Sequence, residues 1–182
     1  MTTDRGFTIN AKKVVFATGF ESPDWIKEKV VTLKSSYAIA TEPLKEFIGW
    51  GYNKCLIWES ARPYLYIRTT SDNRIIVGGE DEDFVNPTRR DKLISKKAST
   101  LLKKARKLFP KMNLEVAYAW AGTFGETEDG LPYVGEFNYP SAWFALCYGA
   151  NGTNFAQMAS EIILKNFLGK TNPNLNLFRF DR

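Results

Sequence analysis

Near the end of the chain, two glycines stand where an apolar run meets an amphipathic one. Residues 142–148 are strongly apolar, Gly149-Ala-Asn-Gly152 follows, and the spacing up to Leu168 predicts a helix that Gly169 ends. The first turn of such a helix has free backbone N–H groups and the positive end of the helix dipole, which suit an anion or a partly negative oxygen. On spacing alone, a glycine-rich turn without a ligand explains the pattern equally well.

Small residues also end a second apolar run. Lys13-Val-Val-Phe-Ala-Thr-Gly19 is typical of a buried parallel strand that leads into a tight turn. The small residues Ala17, Thr18 and Gly19 are also what tight packing alone would require. Asp129-Gly-Leu-Pro132 is by itself only a turn signal. Taken separately, none of these motifs identifies a ligand.

Residues 64–79 predict a β-hairpin. Tyr64 to Thr70 alternates, Ser71-Asp-Asn-Arg74 supplies turn residues, and Ile75 to Gly79 forms the returning strand. The alternation places two phenols and a guanidinium on one face of the sheet, namely those of Tyr64, Tyr66 and Arg68. That face is either a structural row or the lining of a ligand cavity, and the residues alone favour neither.

The composition excludes several kinds of active site. The 182 residues contain no histidine, which rules out Ser-His-Asp and Cys-His nucleophilic sites and histidine metal sites. Cys55 and Cys147 lie far apart in apolar surroundings, so buried free thiols are favoured over a disulfide. We expect no metal, and any chemistry needs an organic cofactor to supply the reactive group.

Nine of the 25 basic residues lie between residues 89 and 107. Such a cluster is compatible with nucleic-acid binding. However, apolar residues recur there at helical spacing and no aromatic residue stands among the basic ones to stack on bases. The apolar residues are Ile94, Ala98, Leu101, Ala105 and Leu108. We therefore predict a helix with its lysines on a solvated face, and no nucleic-acid partner.

The order of elements predicts a mixed fold. After the first strand come short strands at 30–33 and 37–41, interrupted by residues 34–36, and a helix from Pro43 to about Trp50. Beyond the hairpin and the basic helix, which Pro110 should end, the sequence predicts strands at 114–121 and 142–148 and the final helix. The expected class is α/β or α+β, with the two ends in one layer and a mostly antiparallel middle block in another.

Neither a membrane span nor a signal peptide is apparent. No run approaches the roughly 20 apolar residues that a membrane helix needs. Residues 1–10 lack the basic and apolar regions of a signal peptide. The expected location is the cytoplasm.

Together and in this order, four motifs resemble the D-amino-acid oxidase-type FAD-dependent oxidoreductases, a group that includes glycine oxidase, sarcosine oxidase and gamma-glutamylputrescine oxidase. The motifs are the Val-Val-Phe-Ala-Thr-Gly at 14–19, the Tyr-Leu-Tyr-Ile-Arg and Val-Gly-Gly within 64–79, the Trp-Ala-Gly-x-x-Gly-x-Thr-x-Asp-Gly-Leu-Pro-Tyr-Val-Gly at 120–135, and the Tyr-Gly-Ala-Asn-Gly at 148–152. The resemblance extends from about residue 8 to the end of the chain, and the 120–135 motif with the following Gly-x-Asn-Gly is its most specific part.

The resemblance implies FAD as the cofactor. In that family the Ala-Thr-Gly strand end lies near the nucleotide part of FAD. The Gly-x-Asn-Gly turn and the helix after it approach the pyrimidine edge of the flavin, where backbone donors stabilise the charge that builds up on reduction. The implied cofactor-binding residues are Ala17, Thr18, Gly19, Gly149, Asn151, Gly152, Thr153 and Asn154.

The resemblance also implies a substrate domain whose sheet covers the flavin. Hydride would pass from the carbon of a small amine or amino acid to flavin N5, so no histidine base is needed, and no catalytic side chain is assigned. Tyr66 and Arg68 become candidates for holding the polar end of the substrate. The implied substrate-binding residues are Tyr64, Tyr66, Arg68, Trp120 and Thr123.

The sequence departs from the family pattern in two places. Members that oxidise amino acids often have an arginine shortly after the Trp-x-Gly to bind the substrate carboxylate. Here those positions are Thr123 and Phe124, so the carboxylate is held elsewhere or the substrate is an amine without one. The Gly-x-Gly-x-x-Gly segment that binds the diphosphate is also absent.

We therefore expect the C-terminal part of a longer enzyme, which meets its missing N-terminal FAD-binding segment as a partner and binds FAD weakly by itself. The predicted domains are a remnant of the FAD-binding domain at 1–29, a substrate (cap) domain at 30–119 and a returning FAD-binding segment with its helix at 120–182. The predicted fold thus combines a mostly antiparallel sheet and helices with a partial FAD-binding α/β layer. The alternative is a non-catalytic binding or structural module that has lost its cofactor.

Overall fold

A computed structural model describes residues 1–26, 29–146, 148, 149 and 151–182, with the backbone alone described at residues 22–24. The described strands are β1 Val14–Phe16, β2 Thr32–Thr41, β3 Ile57–Trp58, β4 Tyr66–Thr69, β5 Ile75–Glu82, β6 Val116–Glu126, β7 Tyr133–Glu136 and β8 Ala142–Leu146. The described α-helices are α1 Pro87–Lys92, α2 Ile94–Leu108 and α3 Gly152–Phe167. The predicted mixed α/β class is confirmed.

The chain forms two compact units. Unit 1 consists of Met1–Leu33 together with Phe124–Arg182, and unit 2 of Lys34–Thr123. The sequence placed its domain limits near residues 30 and 120. The roles assigned to those domains stay a prediction.

Unit 1 contains a three-stranded sheet with the order β1-β8-β7. β1 runs parallel to β8, with Val14 opposite Ala142 and Phe16 opposite Phe144, and β7 runs antiparallel to β8. All five residues of β8 are buried because each face of the strand meets a separate apolar cluster. One cluster includes Trp143 and Ala145 with residues of α3, and the other includes Ala142, Phe144 and Leu146. This burial on both faces explains why the strand reads as one continuous apolar run.

Unit 2 contains a five-stranded sheet with the order β3-β4-β5-β2-β6. The predicted hairpin is confirmed, since β4 and β5 pair antiparallel with Tyr66 opposite Gly78 and Thr69 opposite Ile75. The interruption predicted at residues 34–36 is wrong. β2 is continuous, and its register with β5 shifts between Ser35 and Tyr37, so a β-bulge takes up the polar residues without ending the strand.

The core of unit 2 lies between this sheet and α2. Ala98, Leu101 and Ala105 are buried against residues of β2, β4 and β5, as the helical spacing predicts. Leu108 is an exception at 49% exposed, because it is the last residue of the helix. The end of the helix before Pro110 is confirmed.

The solvated face predicted for the lysines of α2 is wrong for one of them. The Nζ of Lys97 lies 2.6 Å from a carboxylate oxygen of Glu82 and 3.6 Å from one of Glu80, and the side chain is largely buried. Lys104, two turns further along, bonds Glu80 at 2.6 Å. These ion pairs attach the helix to β5, so this part of the basic cluster stabilises unit 2.

The helix predicted from Pro43 to Trp50 does not form. This segment is a series of turns in which the N–H of Leu44 donates to the carbonyl of Asn73 and the Trp50 ring stacks on Phe109 at 4.8 Å. Phe47 and Trp50 both pack against the core. Tertiary packing of the aromatic rings therefore overrides the local helical preference.

The structure also bears on the predictions made for the two cysteines and for membrane-spanning helices. Cys55 is a free thiol, as predicted, but it is exposed where burial was expected, and Cys147 lies outside the described residues. Among the described helices, none has the length and hydropathy needed to cross a membrane.

Candidate functional site

The carboxyl ends of β1 and β8 meet at one edge of the sheet in unit 1, because the two strands are parallel. Ala17, Thr18 and Gly19 follow β1 at this edge and are exposed. The connection to α3 follows β8 at the same edge. The structure thus brings together two of the segments that the sequence singled out, although they are more than a hundred residues apart. Ligands in open α/β sheets bind at edges of this kind.

The N-terminus of α3 opens on this edge. Asn151 is the N-cap residue, and its side chain makes no capping hydrogen bond. The first N–H groups of a helix have no partner within it, so those of Gly152, Thr153 and Asn154 are directed out of its end. Thr153 and Asn154 are exposed. The backbone therefore presents a group of donors at the positive end of the helix dipole.

Gly149 fixes the path of the chain into α3. Its N–H donates to the carbonyl of Gly125 at 3.0 Å, and its φ of +53° lies in the left-handed region that glycine adopts without strain. Apart from Gly149 and its chain neighbours, no atom of the described residues lies within 4 Å of the point where a Cβ would stand. The edge is thus open at the backbone, and a flat ligand can approach it closely.

In unit 2, the alternation predicted for the hairpin is confirmed. Leu65 and Ile67 are buried in the core, and Tyr64, Tyr66 and Arg68 point to the other face of the sheet. Arg68 is exposed, and its Nη1 reaches only the carbonyl of Thr69 at 3.5 Å among the bonds described for it. Its guanidinium is therefore accessible from solvent.

Tyr66 belongs to a row across the sheet that the sequence analysis missed. Trp58 stands opposite Tyr66, Tyr66 opposite Gly78, and Gly78 opposite Ala38, so these residues share one face. The Tyr64 ring lies 5.8 Å from that of Trp58 and 6.2 Å from that of Tyr66. The result is an aromatic cluster of Trp58, Tyr64 and Tyr66. The period-two pattern identified its tyrosines, but only the register of β3 with β4 adds Trp58.

The two glycines of β5 make room for this cluster. A Cβ on Gly78 would stand 2.0 Å from Cζ of Tyr66, so the phenol ring lies directly over Gly78. A Cβ on Gly79, whose φ is +140°, would stand 2.4 Å from the carbonyl oxygen of Tyr64. The Val-Gly-Gly motif is thereby explained by the close approach of two tyrosines to the strand.

The hydroxyl of Tyr66 lies in a polar setting on this face. The side chain of Ser36 hydrogen-bonds to it. Burial of the phenol, followed by the negative charge of Asp81, raises the pKa of Tyr66 above its ordinary value. Tyr66 therefore keeps its proton at neutral pH and can orient a ligand by hydrogen bonding.

The other two predicted substrate residues lie apart from the aromatic cluster. Trp120 is on β6, three strand positions from β4, which corresponds to about 14 Å across a sheet. Thr123 lies on the same side of β6 as Ala121, and Ala121 packs against the core. The hydroxyl of Thr123 accepts a hydrogen bond of 3.0 Å from Arg90. The structure does not bring Thr123 to the face that carries Tyr66.

Among the described residues, no group of three or more His, Cys, Asp or Glu side chains is arranged to hold a metal ion. The structure offers two candidate features, the donor-rich edge of unit 1 and the aromatic face of unit 2. Backbone donors at a helix N-terminus match the partly negative oxygens on the pyrimidine edge of a flavin. The residues present thus fit that group.

Comparison with solved structures supports the same fold. Iminodiacetate oxidase from Chelativorans sp. BNC1 superposes with a TM-score of 0.81 and 14% identity, covering 98% of this chain and 48% of that one. Glycine oxidase from Geobacillus kaustophilus gives a TM-score of 0.69 at 20% identity over 98% of this chain and 47% of that one. L-proline dehydrogenase from P. horikoshii gives 0.67 at 21% identity over 97% and 48%. The chain thus spans about half the length of these structures.

Sequence comparison gives the family. No curated protein sequence matches the chain significantly. The profile of the FAD dependent oxidoreductase family, DAO, matches residues 1–165. This match covers far more than half of the 182 residues, and the chain belongs to the DAO family of FAD-dependent oxidoreductases.

Proposed function

We propose that these residues form part of a FAD-dependent enzyme that oxidises a small amine or amino acid. Unit 1 binds the flavin end of FAD, and unit 2 binds the substrate. Because the chain spans about half of the structures it matches, the activity is proposed for the whole protein. The observation that carries the proposal is that Ala17–Gly19 and the uncapped N-terminus of α3 follow the carboxyl ends of two adjacent parallel strands, β1 and β8.

The donors of unit 1 would hold the flavin. The backbone N–H groups of Gly152, Thr153 and Asn154 donate to the partly negative oxygen at its pyrimidine edge, and Gly149 leaves space for the ring. Ala17, Thr18 and Gly19, together with Asn151, complete the binding edge. Bound FAD would supply the acceptor for a hydride from the carbon next to the amine nitrogen.

The aromatic face of unit 2 would select and orient the substrate. Arg68 is exposed and suits a substrate carboxylate, and Tyr66 donates a hydrogen bond from a phenol that stays protonated. Tyr64 forms an apolar wall with Trp58. Trp120 stays a candidate at the far side of the same face. Hydride transfer requires the neutral amine, so the ammonium proton of the substrate must first pass to solvent, and no side chain of this face is assigned as its acceptor.

The names of the structural neighbours support this substrate class. They describe an iminodiacetate oxidase, a glycine oxidase and an L-proline dehydrogenase, which act on small compounds that contain an amine nitrogen. Glycine, proline and iminodiacetate therefore form a suitable first panel of substrates.

A flavin titration of the purified chain tests the cofactor site, with Asn151→Asp as the informative variant. A carboxylate at this N-cap interacts favourably with the positive end of the α3 dipole, which stabilises the helix by about 0.3–1 kcal/mol. The same carboxylate repels the partly negative flavin oxygen and competes for its donors. We expect Asn151→Asp to raise the thermal unfolding midpoint and to weaken FAD binding, two opposite effects from one substitution.

Asn172→Asp is the matched control. Asn172 also precedes a helical turn in unit 1, where its side chain accepts a hydrogen bond from the N–H of Asn174 at 3.1 Å. This substitution adds the same charge away from the edge, so FAD affinity should stay at the wild-type value. Equal FAD affinity of the wild type and Asn151→Asp would contradict the proposed edge.

Anaerobic addition of the substrate panel then tests the reaction. Bleaching of the flavin absorbance would support oxidation of an amine, and Arg68→Gln should weaken the response to glycine while Lys103→Gln, which removes an exposed charge on α2, should not. A chain that takes up no flavin would favour a non-catalytic module for these residues, though not for a longer protein that contains them.

A further inference from the structure

Arg182 makes a dense set of contacts in unit 1, although it lies far from the proposed flavin edge in sequence. Its Nε donates to Asp129 at 2.7 Å, and its Nη2 donates to the other oxygen of that carboxylate at 2.9 Å. The remaining N–H groups reach the carbonyls of Leu131, Pro132 and Arg179 at 2.8, 3.1 and 3.1 Å. All five donors of the guanidinium are thus used.

The Arg182 side chain is also enclosed. It is 12% exposed, and its guanidinium stacks on the ring of Tyr133 at 3.9 Å. A planar, fully bonded cation of this kind has a fixed position, unlike the mobile end of an exposed arginine.

The contacts of Arg182 converge on the turn at residues 127–132. Asp129 accepts hydrogen bonds from the N–H of Leu131 at 3.0 Å and from the hydroxyl of Thr127 at 3.1 Å. The buried Thr127 hydroxyl also lies 2.8 Å from the carbonyl of Leu131. Arg182 therefore closes a network that already holds the turn internally.

This turn is directly connected to the edge that carries the proposed flavin donors. Gly125 lies two residues before Thr127, and its carbonyl accepts the N–H of Gly149 at 3.0 Å. Gly149 in turn precedes the N-cap residue Asn151. A displacement of the turn would thus be transmitted to Gly125 and from there to the start of α3.

The C-terminal tail does not depend on Arg182 to stay attached. The N–H of Val134 donates to the carbonyl of Phe178 at 2.8 Å, and Phe178 is buried. The Phe180 ring stacks on Tyr133 and Phe137 with centroid distances of 4.8 and 4.3 Å. Because these apolar contacts already hold the tail, the hydrogen bonds of Arg182 act mainly on the turn at residues 127–132.

We propose that Arg182 is a positioning residue that, through Asp129 and the 127–132 turn, fixes Gly149 and the N-terminal donors of α3 for the flavin. This inference rests on the proposed function for its flavin readout. Amide hydrogen exchange at Gly149 needs no flavin and therefore tests the positioning role by itself.

Arg182→Gln is the variant to measure, and Arg179→Gln is its control. Arg179 pairs with Asp181 on the same tail and is half exposed, and the hydrogen bond described between it and the network is made by its backbone carbonyl. Amide hydrogen exchange of the full chain without flavin should show faster exchange at Gly149 in Arg182→Gln than in Arg179→Gln, with α2 unchanged in both. Unchanged exchange at Gly149 in Arg182→Gln would overturn the proposal.

The flavin readout adds what a purely structural role would not change. We expect Arg182→Gln to raise the dissociation constant for FAD about tenfold, equivalent to the loss of one hydrogen bond to a charged group, and to shift the absorbance bands of bound flavin. Arg182→Lys should recover part of the lost FAD affinity. Combining Asp129→Asn with Arg182→Gln should weaken FAD binding little further, because both substitutions remove the same contact.

The two proposals can fail separately. If the wild type takes up no FAD while Gly149 exchanges faster in Arg182→Gln, the positioning stands and FAD binding by these residues alone does not. If the wild type binds FAD and Arg182→Gln matches Arg179→Gln in affinity, spectrum and exchange, the positioning is wrong and the cofactor stands. A denaturant unfolding curve of each variant separates these results from a general loss of stability.

Discussion

Gly78 on β5 and Tyr66 on β4 face each other, and the aromatic ring occupies the space that any Cβ on residue 78 would need. The distance from that Cβ position to Cζ of Tyr66 is 2.0 Å, far below a van der Waals contact. The ring can stay over the strand only while residue 78 is glycine. The position of the Tyr66 hydroxyl, beside Ser36, therefore depends on a residue that has no side chain.

We predict that Gly78→Ala lowers the free energy of unfolding by about 1–3 kcal/mol, the usual cost of overpacking, and displaces the Tyr66 ring. The same substitution should cost less in a Tyr66→Ala background, because the ring that it meets is absent. Urea unfolding of the four proteins of this double-mutant cycle measures the difference.

Gly122→Ala is the control for this cycle. Gly122 lies in β6 of the same sheet, and beyond its chain neighbours no atom in the described part of the chain stands within 4 Å of its Cβ position. It should be neutral or slightly stabilising, since alanine loses less conformational entropy on folding than glycine. Additive effects of Gly78→Ala and Tyr66→Ala would contradict the contact.

At the scale of elements, the apolar residues at helical spacing in α2 are buried at the centre of the helix and exposed at its end. Leu101 is 0% exposed at the centre of the apolar cluster, and Leu108 is 49% exposed in the same stripe of the sequence. We predict that Leu101→Ala destabilises unit 2 by about 2–5 kcal/mol. Thermal or urea unfolding measures it.

Leu108→Ala provides the comparison within the same helix. It removes the same atoms from a side chain that is already half in solvent, so its effect should stay within about 0.5 kcal/mol. Equal losses at both positions would mean that the end of α2 is packed more tightly than the structure shows.

Elements whose pattern is local could be predicted from the sequence. The hairpin of β4 and β5, the end of α2 before Pro110 and the end of α3 before Gly169 all depend on neighbouring residues. The segment from Pro43 to Trp50 could not, because the stacking of Trp50 on Phe109 involves residues almost sixty positions apart. The bulge in β2 likewise depends on its pairing with β5.

The features of the candidate site likewise fall into those that local sequence patterns predict and those that depend on long-range strand pairing. Period-two alternation places Tyr64, Tyr66 and Arg68 on one face, and the glycines mark the turn before α3. Strand register decides that Trp58 joins the tyrosines, and strand orientation decides that residues 17–19 share an edge with α3. Both are long-range properties that no local window contains.

At the scale of the whole molecule, the Asp129–Arg182 pair makes stability sensitive to acid. The hydrogen bonds from Arg182 hold the pKa of Asp129 well below its usual range. A carboxyl whose pKa is lowered by folding contributes stability that is fully present above its unfolded value, near 4, and is lost as the pH falls toward the folded value. The unfolding free energy should therefore decrease below about pH 4.

Asp129→Asn should flatten this acid limb, because the amide cannot gain a proton. Asp181→Asn is the comparison. Pairing with Arg179 lowers the pKa of Asp181 as well, but this carboxyl is 65% exposed against 45% for Asp129, so its share should be smaller. Urea midpoints between pH 2.5 and 6 give both slopes, and parallel curves for Asp129→Asn and the wild type would refute the assignment.

The route of the chain through β2 and β6 has a consequence for the order of folding. These neighbouring strands include the points where the chain enters and leaves unit 2. The N–H of Glu42, just after the end of β2, donates to the carbonyl of Glu115, just before the start of β6. Because the end of one strand lies beside the start of the other, the two strands run antiparallel. Once unit 2 has formed, the two ends that continue into unit 1 are already neighbours. The loop-closure entropy of pairing β1 with β8, across more than a hundred residues, is then largely removed. In pulsed hydrogen exchange during refolding, the amides of α2 and β5 should accordingly gain protection before those of β1 and β8.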